Sequence, residues 1–246
     1  MIFCKESAVQ QIDHLLHIYD ELNIEKILDT EIVLGGQILV NRTALDYQLY
    51  KKYQIRIIIP LNSDILPYVI DIGNQIEKGY PHRYPDGQLC LETDAAIRIY
   101  FVTGFNLEIW IRNFVEPYYF SYEYYHRYGV FPFGERAHGI EGVFQTYGEY
   151  FNELDYVKVF RLMEFIRFGR YRGHLPCPCG SGKKMRLCHG KFIKKFFEDN
   201  NLKIIVQNDY EAIKEVLDAY YEQSRNSNAT KRNEIFKDSI CSSQML

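Results

Sequence analysis

Apolar residues recur at positions 8, 12, 15, 16, 19 and 22, the spacing of one helical face. Ser7 followed by Gln10 has the form of a capping box, so the pattern predicts a first helix over about 7–25. The stretch from Glu31 to Val40 is apolar around Gly35-Gly36 and reads either as a hairpin turning at the glycines or as one strand with a bulge. Over 45–61, Tyr47, Tyr50, Tyr53, Ile55, Ile57 and Ile59 come in near alternation, a strand that Pro60 stops. A further extended piece falls around 66–72. Asp86-Gly87 marks a turn before the short apolar segment Leu89-Cys90-Leu91. Asn106 is placed to cap a helix with apolar positions 107, 110, 111, 114 and 115, which Pro117 kinks or restarts. Helical spacing returns over 154–169 through Val157, Phe160, Leu162, Phe165 and Ile166. Residues 202–206 read as a strand and 209–222 as an amphipathic helix with Ile213, Val216, Leu217 and Tyr220. From Ser224 the chain is rich in Ser, Asn and Lys, the composition of a flexible tail. Helix, antiparallel strands, a loop and then helices make an α+β arrangement.

Composition narrows the class. The 246 residues are 47% hydrophobic and 25% charged, which excludes collagen, coiled coil and wholesale disorder. The longest apolar run, around Ile57-Ile58-Ile59-Pro60-Leu61, is far short of a membrane span, and Lys5 and Glu6 interrupt any signal-peptide core. A protein that stays in the cytoplasm is the expectation. Of the 37 Tyr and Phe residues, 21 and 16, nine cluster at 118–133, as core and interface packing explains. The net charge of −3 hides an asymmetry: residues 161–195 hold ten Lys or Arg against the single acid Glu164. That basic stretch on an acidic body suits an anionic partner or a solvated face. It lacks an aromatic-interleaved groove, so nucleic acid is not the expected partner.

Six cysteines, at 4, 90, 177, 179, 188 and 241, are too few and too uneven for a secreted disulfide scaffold. Cys4 and Cys241 stand outside any constellation. The string Cys177-Pro-Cys179-Gly-Ser-Gly-Lys-Lys-Met-Arg-Leu-Cys188-His189 offers three thiolates and one imidazole, the complement of a closed tetrahedral zinc site. Thiolates favour zinc over magnesium or calcium. Gly180 and Gly182 let the chain turn around the sulfurs. So short and polar a segment folds on metal rather than on a core of its own. The string resembles the SEC-C motif, a small zinc module that serves as a docking element in many otherwise unrelated proteins. The resemblance covers about 20 residues and implies Cys177, Cys179, Cys188 and His189 as ligands of a structural zinc. A site closed by four ligands leaves no position for a reactive water.

A second string is Tyr80-Pro-His82-Arg-Tyr84-Pro-Asp86-Gly87-Gln-Leu-Cys90-Leu91, preceded by a strand that ends in Pro60 and by Pro67. With the Trp110 helix, Tyr118 to Tyr128, and Pro132-Phe-Gly-Glu135-Arg-Ala-His138-Gly139 downstream, it resembles the ubiquitin-conjugating-enzyme fold in its bacterial form. That resemblance spans roughly 1–150 and implies an antiparallel sheet with flanking helices. It also implies that Cys90 carries an acyl group as a thioester and passes it to an amine, for which a thiolate is both nucleophile and leaving group. His82 would orient the loop, act as base or support the oxyanion; Tyr84 and His138 are candidate supports. The His-Pro-Asn triplet of eukaryotic members is absent, His82-Arg83-Tyr84 standing in its place, so the asparagine's role is unassigned. Bacterial relatives occur in antiphage operons of the cyclic-oligonucleotide signalling kind (CBASS), which implies a cyclic-oligonucleotide synthase as protein partner. Two other readings are a catalytically inactive adaptor that docks through the zinc module, and a cysteine hydrolase using Cys90 with His82 or His138. The expected division is 1–153 for the conjugating-like domain, 154–172 for a connecting helix, 173–192 for the zinc module, 193–223 for a C-terminal strand and helix, and 224–246 for the tail.

Overall fold

The computed structural model describes residues 3–137 and 139–219. They form two compact units that divide between Thr146 and Tyr147. The first contains helix α1 (Lys5–Ile18), strands β1 (Leu22–Ile27), β2 (Glu31–Ala44), β3 (Tyr47–Pro60) and β4 (Tyr68–Asp71), and helices α2 (Asp94–Tyr100), α3 (Leu107–Trp110) and α4 (Glu116–Tyr128). The strands make one antiparallel sheet in the order β1-β2-β3-β4. The protein is therefore α+β, with a four-stranded antiparallel sheet and flanking helices. Among the described residues, no helix is long and apolar enough to cross a membrane.

The register explains the core. Ile32 pairs with Ile59, Leu34 with Ile57 and Ile38 with Tyr53, so these side chains share one face, and all are buried. Helices α1, α3 and α4 supply Ile12, Leu15, Trp110, Tyr119 and Phe120 to the same core. The Tyr53 and Tyr119 rings stack at 3.9 Å, while the Tyr53 hydroxyl donates to Glu123 at 2.7 Å. Tyr53 thus buries its ring and keeps its polar end paired, whereas the buried Tyr119 hydroxyl has no hydrogen-bond partner among the described residues.

Several expectations need correction. The first helix starts at Lys5 and ends at Ile18; Ser7 lies inside it and donates to the Cys4 carbonyl instead of capping. Residues 22–25, expected as its last turn, belong instead to β1, because Leu22 to Ile27 pair with Ile32 to Gly36 of β2. No hairpin turns at Gly35-Gly36: β2 runs straight through them. A Cβ on Gly36, whose φ is +142°, would sit 2.1 Å from the Glu21 carbonyl oxygen. The glycine therefore serves the close approach of β1. The actual turn is Leu45-Asp46, both at positive φ, joining Ala44 to its partner Tyr47 as a two-residue type I′ hairpin. Asn106 caps as expected, accepting from the Ile109 N–H at 2.9 Å. Pro117 then sits in the first turn of α4, after a π-helical turn at Ile111–Val115. That register shift accommodates a residue with no N–H to give.

The second unit holds part of α5 (Gly139–Phe151), then α6 (Tyr156–Phe168), a 3₁₀ turn (Met185–Leu187), α7 (Gly190–Ile193), α8 (Lys195–Glu198) and a helix, α9, over 200–219. The expected strand at 202–206 is part of α9. Leu202, Val206, Tyr210 and Ile213 are buried at helical spacing, and Asp199 accepts from the N–H groups of Asn201 and Leu202. Three β-branched residues in a row suggested a strand, and the longer periodicity prevails. Residues 220–223 and the tail lie outside the described residues.

Candidate functional site

The first candidate is a tight hairpin in the first unit. Tyr84-Pro85-Asp86-Gly87 closes with a Gly87 N–H to Tyr84 carbonyl bond of 2.9 Å, and the Tyr84 N–H donates to Gln88 at 2.9 Å. Pro85 and Asp86 suit a type I turn, and Gly87 follows at φ +90°, giving a three-residue loop with a glycine bulge. The Asp86 carboxylate accepts the Gln88 N–H at 3.0 Å. Below the turn Arg83 pairs with Leu89, and the Cys90 N–H donates to the His82 carbonyl at 2.8 Å.

Side chains alternate along such a ladder. Arg83 and Leu89 turn inward: Leu89 is buried, and the Arg83 side chain, 5% exposed, lies 3.8 Å from the fully buried Asp71 carboxylate. That carboxylate also accepts the N–H groups of Gln75 and Ile76. His82, Tyr84 and Cys90 therefore share the opposite face. The Tyr84 hydroxyl lies within reach of the Cys90 sulfur and acts on its titration. The His82 carbonyl also accepts from the buried Tyr118 hydroxyl at 3.0 Å, and the His82 ring packs edge-on against Tyr80 and Phe131. Its Nε2 lies 3.8 Å from Glu135. The pattern thus brings together His82, Tyr84 and Cys90, while His138 lies outside the described residues.

Cys90 is half-buried. Burial pushes its thiol pKa up, Glu92 and Asp94 add to the rise, and the hydrogen bond from Tyr84 works the other way. Tyr84 is itself pushed up to about 12, by burial first and then by Cys90. It remains a hydroxyl donor at every ordinary pH.

The second candidate is the cluster of Cys177, Cys179, Cys188 and His189, whose ligand atoms all lie within 4.8 Å of one another. An antiparallel bridge between Pro176 and Lys184 folds the string back on itself, and Gly180 and Gly182 make the bend at φ +82° and +72°. Cys179 Sγ and Cys188 Sγ are 3.7 Å apart, and His189 Nδ1 lies 3.5 Å from Cys177 Sγ and 3.3 Å from Cys188 Sγ. Bonds of about 2.3 Å to sulfur and about 2.05 Å to nitrogen at tetrahedral angles give edges of about 3.8 and about 3.6 Å. The donor set therefore fits a four-coordinate ion, and the sulfurs are too far apart for a disulfide. Burial pushes Cys177 up to about 11. At Cys179 burial also works upward, but hydrogen bonds from Ser181 and the neighbouring cysteines outweigh it and the net shift is downward. Burial lowers His189, which favours the neutral imidazole that ligation requires, with Glu153 acting against it. These four residues could hold a metal ion.

Three contributors carried no sequence signal: Asp71, Arg83 and Glu153, whose carboxylate faces His189. Each meets its partner through folding. Family models, curated proteins and solved structures were compared with the chain, and none matches.

Proposed function

We propose that this protein is a ubiquitin-conjugating-like acyl transferase that holds a protein C-terminus as a thioester on Cys90 and passes it to an amine. The observation that carries the reading is the hairpin that gathers His82, Tyr84 and the half-buried Cys90 on one face. The Cys90 sulfur attacks the carbonyl of a donor C-terminus that arrives activated, as an acyl-adenylate or as a thioester on another thiol; the Cys90 proton passes to solvent, and AMP or that other thiol departs. The acceptor amine then attacks the thioester carbonyl and the Cys90 thiolate leaves. The Tyr84 hydroxyl acts on the sulfur, so it steadies the charge there as Cys90 attacks and as it leaves, and it is the proposed substitute for the missing asparagine. A raised thiol pKa favours this reading over the hydrolase, which needs a thiolate at neutral pH.

The synthase of cyclic oligonucleotides is the proposed acyl donor, in antiphage defence, on the sequence resemblance alone. Zinc is the proposed metal, held as a structural ion by Cys177, Cys179, Cys188 and His189 in a SEC-C-like docking module. The test is to mix the protein with such a synthase whose C-terminus has been activated, as an acyl-adenylate or a thioester, and look for a thiol-sensitive adduct. The adduct is expected with the intact protein and with Cys4→Ala, and is expected to vanish with Cys90→Ala. Full biological activity of Cys90→Ser would select the adaptor instead.

A further inference from the structure

His189 has two ring nitrogens, and the cluster uses one of them. Nδ1 faces the sulfurs at 3.3 and 3.5 Å, while Nε2 faces away, 3.4 Å from Oε2 of Glu153. The Glu153 carboxylate is held by its own surroundings. Its other oxygen accepts the N–H groups of Leu154 at 3.0 Å and Asp155 at 3.1 Å, and Lys158 Nζ lies 3.6 Å from Oε2. Glu153 itself sits at the junction of α5 and α6, where its N–H donates to the Gly148 carbonyl at 2.9 Å. Both side chains of the pair are mostly buried, at 9% and 15% exposure.

We propose that Glu153 is the outer-shell carboxylate of the metal centre. It accepts the Nε2–H of His189, fixes the tautomer with the lone pair on Nδ1, and aims that lone pair between the sulfurs. This rests on reading the cluster as a metal centre. The present separation exceeds a formed N–H···O⁻ bond of about 2.8 Å, so the proposal includes a small closing movement when the ion is bound. A carboxylate behind a ligating histidine sets ring orientation and basicity, and its loss costs about 10–100-fold in metal affinity. The consequence is that the centre reaches beyond the Cys177–His189 string to the α5–α6 junction. Metal occupancy and the seating of that junction are then one equilibrium.

The experiment uses the full chain and zinc ion alone. Competition against a chromophoric chelator is expected to show one tight site in the parent protein. Glu153→Ala is expected to bind about 10–100-fold more weakly, and Glu153→Gln, which keeps an acceptor oxygen, to recover most of that loss. If Glu153 merely braces the turn, Glu153→Ala lowers the melting temperature but leaves zinc affinity unchanged, and that result overturns the proposal. If the alanine variant does not fold, nitrogen NMR of the His189 ring in the zinc-loaded parent decides. A protonated Nε2 beside a metal-bound Nδ1 supports the assignment; metal on Nε2 refutes it. A parent protein that binds no zinc, cobalt or cadmium removes the centre and the Glu153 role together.

Discussion

At Cys90 two effects oppose each other. Burial favours the neutral thiol, and the Tyr84 hydroxyl favours the thiolate. Burial prevails, so the thiolate fraction at neutral pH is below that of an ordinary cysteine, and the alkylation rate keeps rising above pH of about 8.5. Tyr84→Phe removes the stabilising donor without emptying the space that the ring fills. Loss of a bond worth about 1 kcal/mol is expected to slow Cys90 alkylation about fivefold at a fixed alkaline pH. Mass spectrometry of the Cys90 peptide measures it; an unchanged rate would mean that the hydroxyl does not act on the sulfur. Neither effect was legible from residue types. The string shows a cysteine and a histidine on either side of a turn, whereas the depth of the sulfur depends on Val69, whose carbonyl accepts the Leu89 N–H, and on the chain around them.

The elements were legible where their pattern was long. Asn106 marked its helix by cap chemistry, β3 showed alternation along a 14-residue strand, and the run over 154–169 kept helical spacing through the 13 residues of α6. Helix α2 spans only seven residues, too few for a period to show, and α5 carries Gly139, Gly142 and Gly148, which blur one. The β2–β3 turn escaped because Leu45-Asp46 lacks the usual Asn-Gly chemistry; Leu45 takes φ +49° with 55% of its surface exposed. A branched side chain in that conformation is strained and here has little packing to lose. Leu45→Asn is therefore expected to raise stability by about 0.5–1 kcal/mol, read as a higher denaturant midpoint at constant slope. No gain would indicate that Leu45 makes a contact worth as much as the strain.

On the scale of the whole molecule, the two units draw on different sources of stability. The first has a core running from Phe3 through the sheet to Tyr122 and includes Trp110, the one tryptophan of the chain. The second buries Val159, Leu162, Ile193, Phe196 and Val206, and contains the Cys/His cluster, where bound metal would add folding energy. Chelation is expected to lower the helical circular dichroism of the second unit and expose its cysteines to alkylation. Trp110 fluorescence should stay that of a buried indole. Loss of both signals together would mean that the metal supports the first unit as well.

The sequence by itself determined the α+β class, the strand that runs from Tyr47 to Pro60, the capped helix at 106, the turn at Asp86-Gly87 and the four residues able to bind metal. Each of these is written in short spans, because periodicity, capping, turn chemistry and ligand spacing act between neighbours along the chain. Tertiary structure decided where the first helix ends, since the β2 edge claims Leu22 to Ile27 for a strand. It decided that Gly36 spaces two strands, that Arg83 finds Asp71 under the Cys90 hairpin, and that Glu153 stands behind His189. Those outcomes follow from which distant groups share the space left by packing, a property that no local pattern encodes.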